Sequence, residues 1–149
     1  MMMECRKVYK DFNMVGMKNS GVFADFGTLV PQSAGRFLER SHEIQNRSDT
    51  EIALYEHKRD EDHLEGHYFV GLIVDNHVNE VPSGMDYIKA SHNYATTRGK
   101  ISDVGELHLQ LSKWAEQQGF ERNMESYIIE TYHPSDNDEE DVEIYLPIY

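Results

Sequence analysis

Apolar positions along the 149-residue chain change their spacing in an order that occurs twice. The first run, VYKDFNMVGMKNSGVF, mixes β-branched and aromatic residues with polar ones and reads as one long or broken strand. Pro31 then opens a helical pattern, PQSAGRFLERSHEIQN, with Phe37, Leu38 and Ile44 at helix-compatible spacing and a proline where a helix start tolerates one. TEIALYEH and YFVGLIVD follow as two strand-like runs joined by the polar KRDEDHLEG, which predicts a hairpin with a long loop. After VNEVPSG the order returns. GMDYIKASHNYATT is strand-like, and ISDVGELHLQLSKWAEQQG is helical, with Val104, Leu107, Leu111, Trp114 and Ala115 on one face and Gly119 as a stop. SYIIETYH and DVEIYLPIY are strands again, linked by the acidic PSDNDEED.

Strand–helix–strand–strand therefore appears twice, over about residues 6–76 and 84–149 of one domain. The simplest completion is an α+β fold in which the two units join into one antiparallel sheet, both helices lie on one face, and a central cleft remains between the halves. The second halves of the two units echo each other in sequence. When Tyr55 is matched to Tyr132, Ala53 falls opposite Glu130. That glutamate stands in the middle of YIIETY, where pleat alternation puts Ile128, Glu130 and Tyr132 on one side and Tyr127, Ile129 and Thr131 on the other. Neither side is a plain solvent face. A carboxylate among apolar neighbours, where the matched position holds a methyl group, is a candidate ligand contact, and burial is expected to raise its pKa.

Composition narrows the function classes. The formal net charge of −13 repels phosphate backbones, so direct nucleic-acid binding is not expected. The same acidity suits cationic ligands or a basic protein surface. No apolar run approaches the ~20 residues of a membrane span, and MMMECRKVYKDF carries charges where a signal peptide is apolar. A lone cysteine, Cys5, fits a reducing cytoplasm. In HKRDEDHLEGH the residues His57, Asp60, Asp62, His63 and His67 match no established metal spacing, so the stretch reads as a solvated loop, and no metal or cofactor is expected.

VGMKNSG, the LYEH strand end, EVPSGMDYIKASHNYA, the Trp114 helix, YIIETYHP and DVEIYLPIY together resemble the GyrI-like small-molecule-binding domain, the effector-binding domain of AraC-type and MerR-type bacterial regulators, in stand-alone form. The likeness covers nearly the whole chain in the family's order. It implies an aromatic-lined cleft with an acid on its floor for cationic, lipophilic compounds. Glu130 is the match to that acid, Trp114 to a helix tryptophan, and Tyr94 to the tyrosine of the strand after VPSGM. Tyr132, on Glu130's face, and Tyr55 are further candidate walls. The resemblance also leaves open two other roles. One is a hydrolase that opens strained cyclopropane-type electrophiles with Glu130 as base. The other is an acidic protein–protein modulator, such as a gyrase-interacting protein.

Overall fold

The computed structural model describes residues 4–75, 80–134 and 139–149. The segments VNEVPSG and PSDNDEED and the first three methionines fall wholly or partly outside them. The elements run β1 (Cys5–Val22), α1 (Phe26–Leu38), β2 (Arg47–Tyr55), β3 (Glu65–Val74), β4 (Asp86–Lys100), α2 (Val104–Gln117), β5 (Ile128–His133) and β6 (Asp141–Ile148). This is the expected α+β architecture: among the described residues, one six-stranded antiparallel sheet and two α-helices.

The sheet goes a step further than a side-by-side join. Its order is β1-β3-β2-β5-β6-β4, and β4 pairs back onto β1 to close a barrel. Length makes this possible. Cys5 to Gly16 of β1 pair with β4, while Met14 to Val22 pair with β3. Where the two ladders overlap, Gly16 faces Gly71. A Cβ on Gly16 would stand 2.4 Å from the Val70 carbonyl oxygen, and one on Gly71 would stand 2.3 Å from that of Val15. Only glycine lets the strands approach so closely.

Register sorts the side chains into two sets. Val15, Ala53, Val70 and Leu72 share a face with Glu130, Ile144 and Leu146, and both helices cover that face. From α1 come Val30, Ser33 and Phe37, and from α2 come Leu107, Leu111 and Ala115. The opposite face turns inward as a second buried cluster of Phe12, Met14, Leu54, Phe69, Tyr94, Ile129 and Tyr145. With both faces covered, β5 has no solvent side, as its sequence implies.

The first helix departs from the sequence reading. It begins at Phe26 rather than Pro31, and it ends at Leu38. Burial of Val30 and Phe37 decides the matter. Pro31 sits inside the helix, where it lacks the N–H that would bond the Gly27 carbonyl, and exposed Gly27 leaves that carbonyl to water. Beyond Leu38 the chain makes a short 3-10 turn at Ser41–Glu43 and reverses through Asn46 at φ 59°. The second helix stops where expected. Gly119 takes φ 78°, its N–H reaches the Glu116 carbonyl, and the Phe120 N–H reaches that of Ala115. These two bonds form a Schellman closure, and Phe120 seals it against Trp114 with ring centroids 5.7 Å apart.

Candidate functional site

The two units join along the β1–β4 ladder and along the β2–β5 seam, and Ala53 and Glu130 are direct partners on the latter. Ala53 offers only a methyl group, and Tyr55 and Tyr132 pack against the core cluster to which it belongs. Glu130 is 6% exposed. Its Oε1 accepts hydrogen bonds from the Tyr55 hydroxyl at 2.8 Å and the Tyr132 hydroxyl at 2.5 Å. Its Oε2 lies 2.5 Å from Nε2 of His108, on α2. An ionised carboxylate only accepts, so Nε2 carries a proton here. On the other side, Phe26 of α1 reaches the Tyr55 ring at 6.0 Å and the Tyr68 ring at 5.0 Å. Tyr68 is fixed in turn by a 2.7 Å hydrogen bond with Ser33. The acid thus lies between the two helices, with tyrosines and a phenylalanine on the α1 side and an imidazole on the α2 side.

Its electrostatics differ from the sequence expectation. Burial pushes the Glu130 carboxyl upward and is the largest single influence, but His108, Tyr132 and Tyr55 together outweigh it and hold the group below the usual glutamate range. Glu130 is therefore ionised, not partly protonated. The two phenols show the complement. Burial and the Glu130 charge push both well above the ordinary tyrosine value, so they remain protonated donors. Two phenols carry two protons, and both are spent on the carboxylate. The 3.0 Å contact between the Tyr55 and Tyr132 oxygens is held by that shared acceptor. Among the described residues the only ionisable cation paired with Glu130 is His108, whose side chain is 34% exposed.

The structure brings Tyr55 and Tyr132 to Glu130, as the sequence suggests. Tyr94 lies elsewhere: it points into the barrel, fully buried, and its hydroxyl has no hydrogen-bond partner among the described residues. Trp114 joins the α2-side cluster that also takes in Ile128 and Tyr132, and its ring seals the helix end. Sequence reasoning missed His108 and Phe26. A signal for His108 was available, since positions 104, 107, 108, 111 and 115 form one helical stripe and a histidine there faces the sheet. The long hairpin loop also contained a surprise. His57 is 1% exposed rather than solvated, and Arg122 donates to its Nδ1 at 3.2 Å. His63 and His67 instead flank Glu56 at 3.7 and 3.0 Å. A concavity of about 780 Å³ lies beside the start of α2 between Arg6, Arg98, Gly99 and Leu107, and Glu130 does not line it.

A family model for the GyrI-like small-molecule-binding domain matches residues 3–149. The chain belongs to this family. Solved structures agree on the fold of this GyrI-like domain. SAV2435 bound to tetraphenylphosphonium is similar at TM-score 0.69 and 15% identity, over 100% of this chain and 94% of that one. The EcmrR C-terminal domain gives TM-score 0.71 at 14% identity, over 100% and 99%. A hydrolase from Listeria innocua gives 0.63 at 11%, over 98% and 92%. No curated protein sequence matches the chain.

Proposed function

We propose that this GyrI-like domain binds lipophilic organic cations over the β2–β5 seam, with Glu130 as the counter-charge and Tyr55, Tyr132 and Phe26 as aromatic walls. The observation that carries this reading is a buried, ionised carboxylate that, among the described residues, meets no lysine or arginine and pairs only with a partly exposed histidine. A delocalised cation offers few hydrogen bonds, so Coulomb attraction at low local dielectric and the negative faces of aromatic rings must hold it. His108 fills the cation's place in the closed site. It can swing out toward solvent on α2, uncovering the acid without breaking the sheet.

The fit of SAV2435 with tetraphenylphosphonium makes that compound the natural probe. Titration followed through Trp114, the single tryptophan, or by calorimetry should give saturable binding. A unit charge about 5 Å from the carboxylate at an effective dielectric near 20 gains roughly 3 kcal/mol, so Glu130→Gln should weaken binding by on the order of 100-fold. His108→Ala should tighten it, because the internal competitor is gone. Unchanged affinity in Glu130→Gln would defeat the assignment. Hydrolysis with Glu130 as general base fits less well, since that role wants a carboxyl lifted toward neutrality and this one is held down.

A further inference from the structure

The two oxygens of Glu130 are partnered unevenly, and the difference bears on which cations the seam should prefer. Two phenols converge on Oε1, at 2.8 and 2.5 Å, and spend both of their protons there. Among the described residues, Oε2 is served by one donor, the Nε2–H of His108 at 2.5 Å. What holds these donors differs as well. Tyr55 and Tyr132 belong to strands and pack against the α1-side core. His108 projects from α2, and its side chain is partly exposed. A cation that enters over the seam therefore displaces His108 and leaves the phenols in place, so the oxygen it frees is Oε2.

A buried carboxylate oxygen that loses its donor costs free energy even when a positive charge lies close by. Charge and hydrogen bond are separable demands here. A fully substituted cation returns the charge but has no N–H to give. A cation that keeps an N–H returns both, and a hydrogen bond between ionised partners is among the strong ones. The displaced group shows the geometry that is wanted: a flat heteroaromatic ring with one N–H in its plane, directed at Oε2 from the α2 side. The cluster packed on that side is apolar, with Leu107, Leu111 and Ala115 from α2 and Ile128 and Trp114 against them. A flat aromatic body suits such surroundings, and its single N–H needs only the acceptor that His108 gives up.

We infer that the seam selects flat aromatic cations that carry a ring N–H, of the imidazolium or protonated aminoquinoline kind, over cations of the same shape whose ring nitrogen is fully substituted. Oε2 of Glu130 reads the N–H, and His108 is the internal stand-in for it. This rests on the cation reading of the seam given above. It adds that tetraphenylphosphonium, which has no N–H, is a competent probe but not the preferred kind of ligand.

Protonated 4-dimethylaminoquinoline and its ring-N-methyl quaternary salt form the deciding pair. Both are flat cations at neutral pH, and they differ by a hydrogen against a methyl group on the ring nitrogen. Calorimetric titration should show the N–H cation binding wild type about tenfold more tightly, the worth of one hydrogen bond to a charged group. In Glu130→Gln, an amide donor replaces the Oε2 acceptor, so both cations should weaken and the preference should vanish. Equal affinities in wild type, or tighter binding of the quaternary salt, would overturn the inference, and the cation reading would stand if both still weakened in Glu130→Gln. A preference that survives in Glu130→Gln would also overturn it, because the N–H would then be read elsewhere. Binding of neither cation, or affinities that Glu130→Gln leaves unchanged, would take down the cation reading and this inference together.

Discussion

Replacing Glu130 with glutamine tests the seam even without ligand. The substitution keeps the shape and removes the charge. The new side-chain carbonyl can still accept from Tyr55 and Tyr132, while the amide must donate to His108, which has to switch to the accepting tautomer. Charge-assisted hydrogen bonds contribute about 1.5–3 kcal/mol each and neutral ones about 0.5–1.5, so demoting three of them costs roughly 3 kcal/mol before offsets. Relief of a buried charge returns part of this, and the partly exposed His108 contact counts for less because solvent screens it, leaving about 1–2 kcal/mol. For a chain of this size that is a fall in Tm of roughly 2–8 °C. The pH dependence carries the sharper signature. Because the folded carboxyl is depressed, its ionised contacts contribute fully above the unfolded value near ~4.3 and are lost as pH falls through the folded one. The gap between wild type and Glu130→Gln should therefore be widest at neutral pH and close in acid. Thermal melts from neutral pH down to the acid limit of solubility measure it. A mutant that melts at or above wild type at neutral pH would mean that the carboxylate is a stranded charge. A gap that persists unchanged in acid would mean that the loss is steric.

Tyr94→Phe removes a buried hydroxyl with no partner among the described residues, so the mutant should be as stable as wild type or gain up to ~1 kcal/mol, and tetraphenylphosphonium affinity should not change. Weakened binding would return Tyr94 to the site. Gly16→Ala drives a methyl group into the Val70 carbonyl at the point where β1 passes between its two ladders, so it should cost more than ~3 kcal/mol or prevent folding. Wild-type melting in that mutant would show that the strands can part there.

How much of this was readable in the chain depends on how far each cause reaches. Strand alternation and the α2 stripe are local, so the strand–helix–strand–strand order and the Gly119 stop could be read directly. The start of α1 could not. Pro31 is a local signal for a helix start, but burial of Val30 against Ala53 and Leu72 in the folded core overrides it. Barrel closure was hidden for the same reason, because the pairing of Gly16 with Gly71 has meaning only once β1 meets β3. The alternation in YIIETY told which neighbours Glu130 has within its strand. It did not tell that donors from β2 and α2 converge there, and those donors reverse the expected direction of its pKa.

The two units carry their difference at matched places. Pairing the 3-10 turns that precede the helices, Phe23–Asp25 with Ile101–Asp103, sets His108 against Val30, just as the tyrosine match sets Glu130 against Ala53. In the first unit both positions are apolar and lie in one core cluster with each other. In the second, both are ionisable and bonded to each other. Neither change is sustainable alone. A glutamate facing an aliphatic helix would bury a charge held by two phenols only, and a histidine facing an alanine would have no acceptor. Taken together they make a polar pair on an otherwise apolar seam, one member fixed in the sheet and the other on a helix at the solvent edge. A lysine or arginine in the place of His108 would be a permanent counter-ion that an incoming cation must evict at full electrostatic cost. An imidazole instead offers the acid one ring N–H from a side chain that is about one-third exposed, which an incoming cation can displace toward solvent.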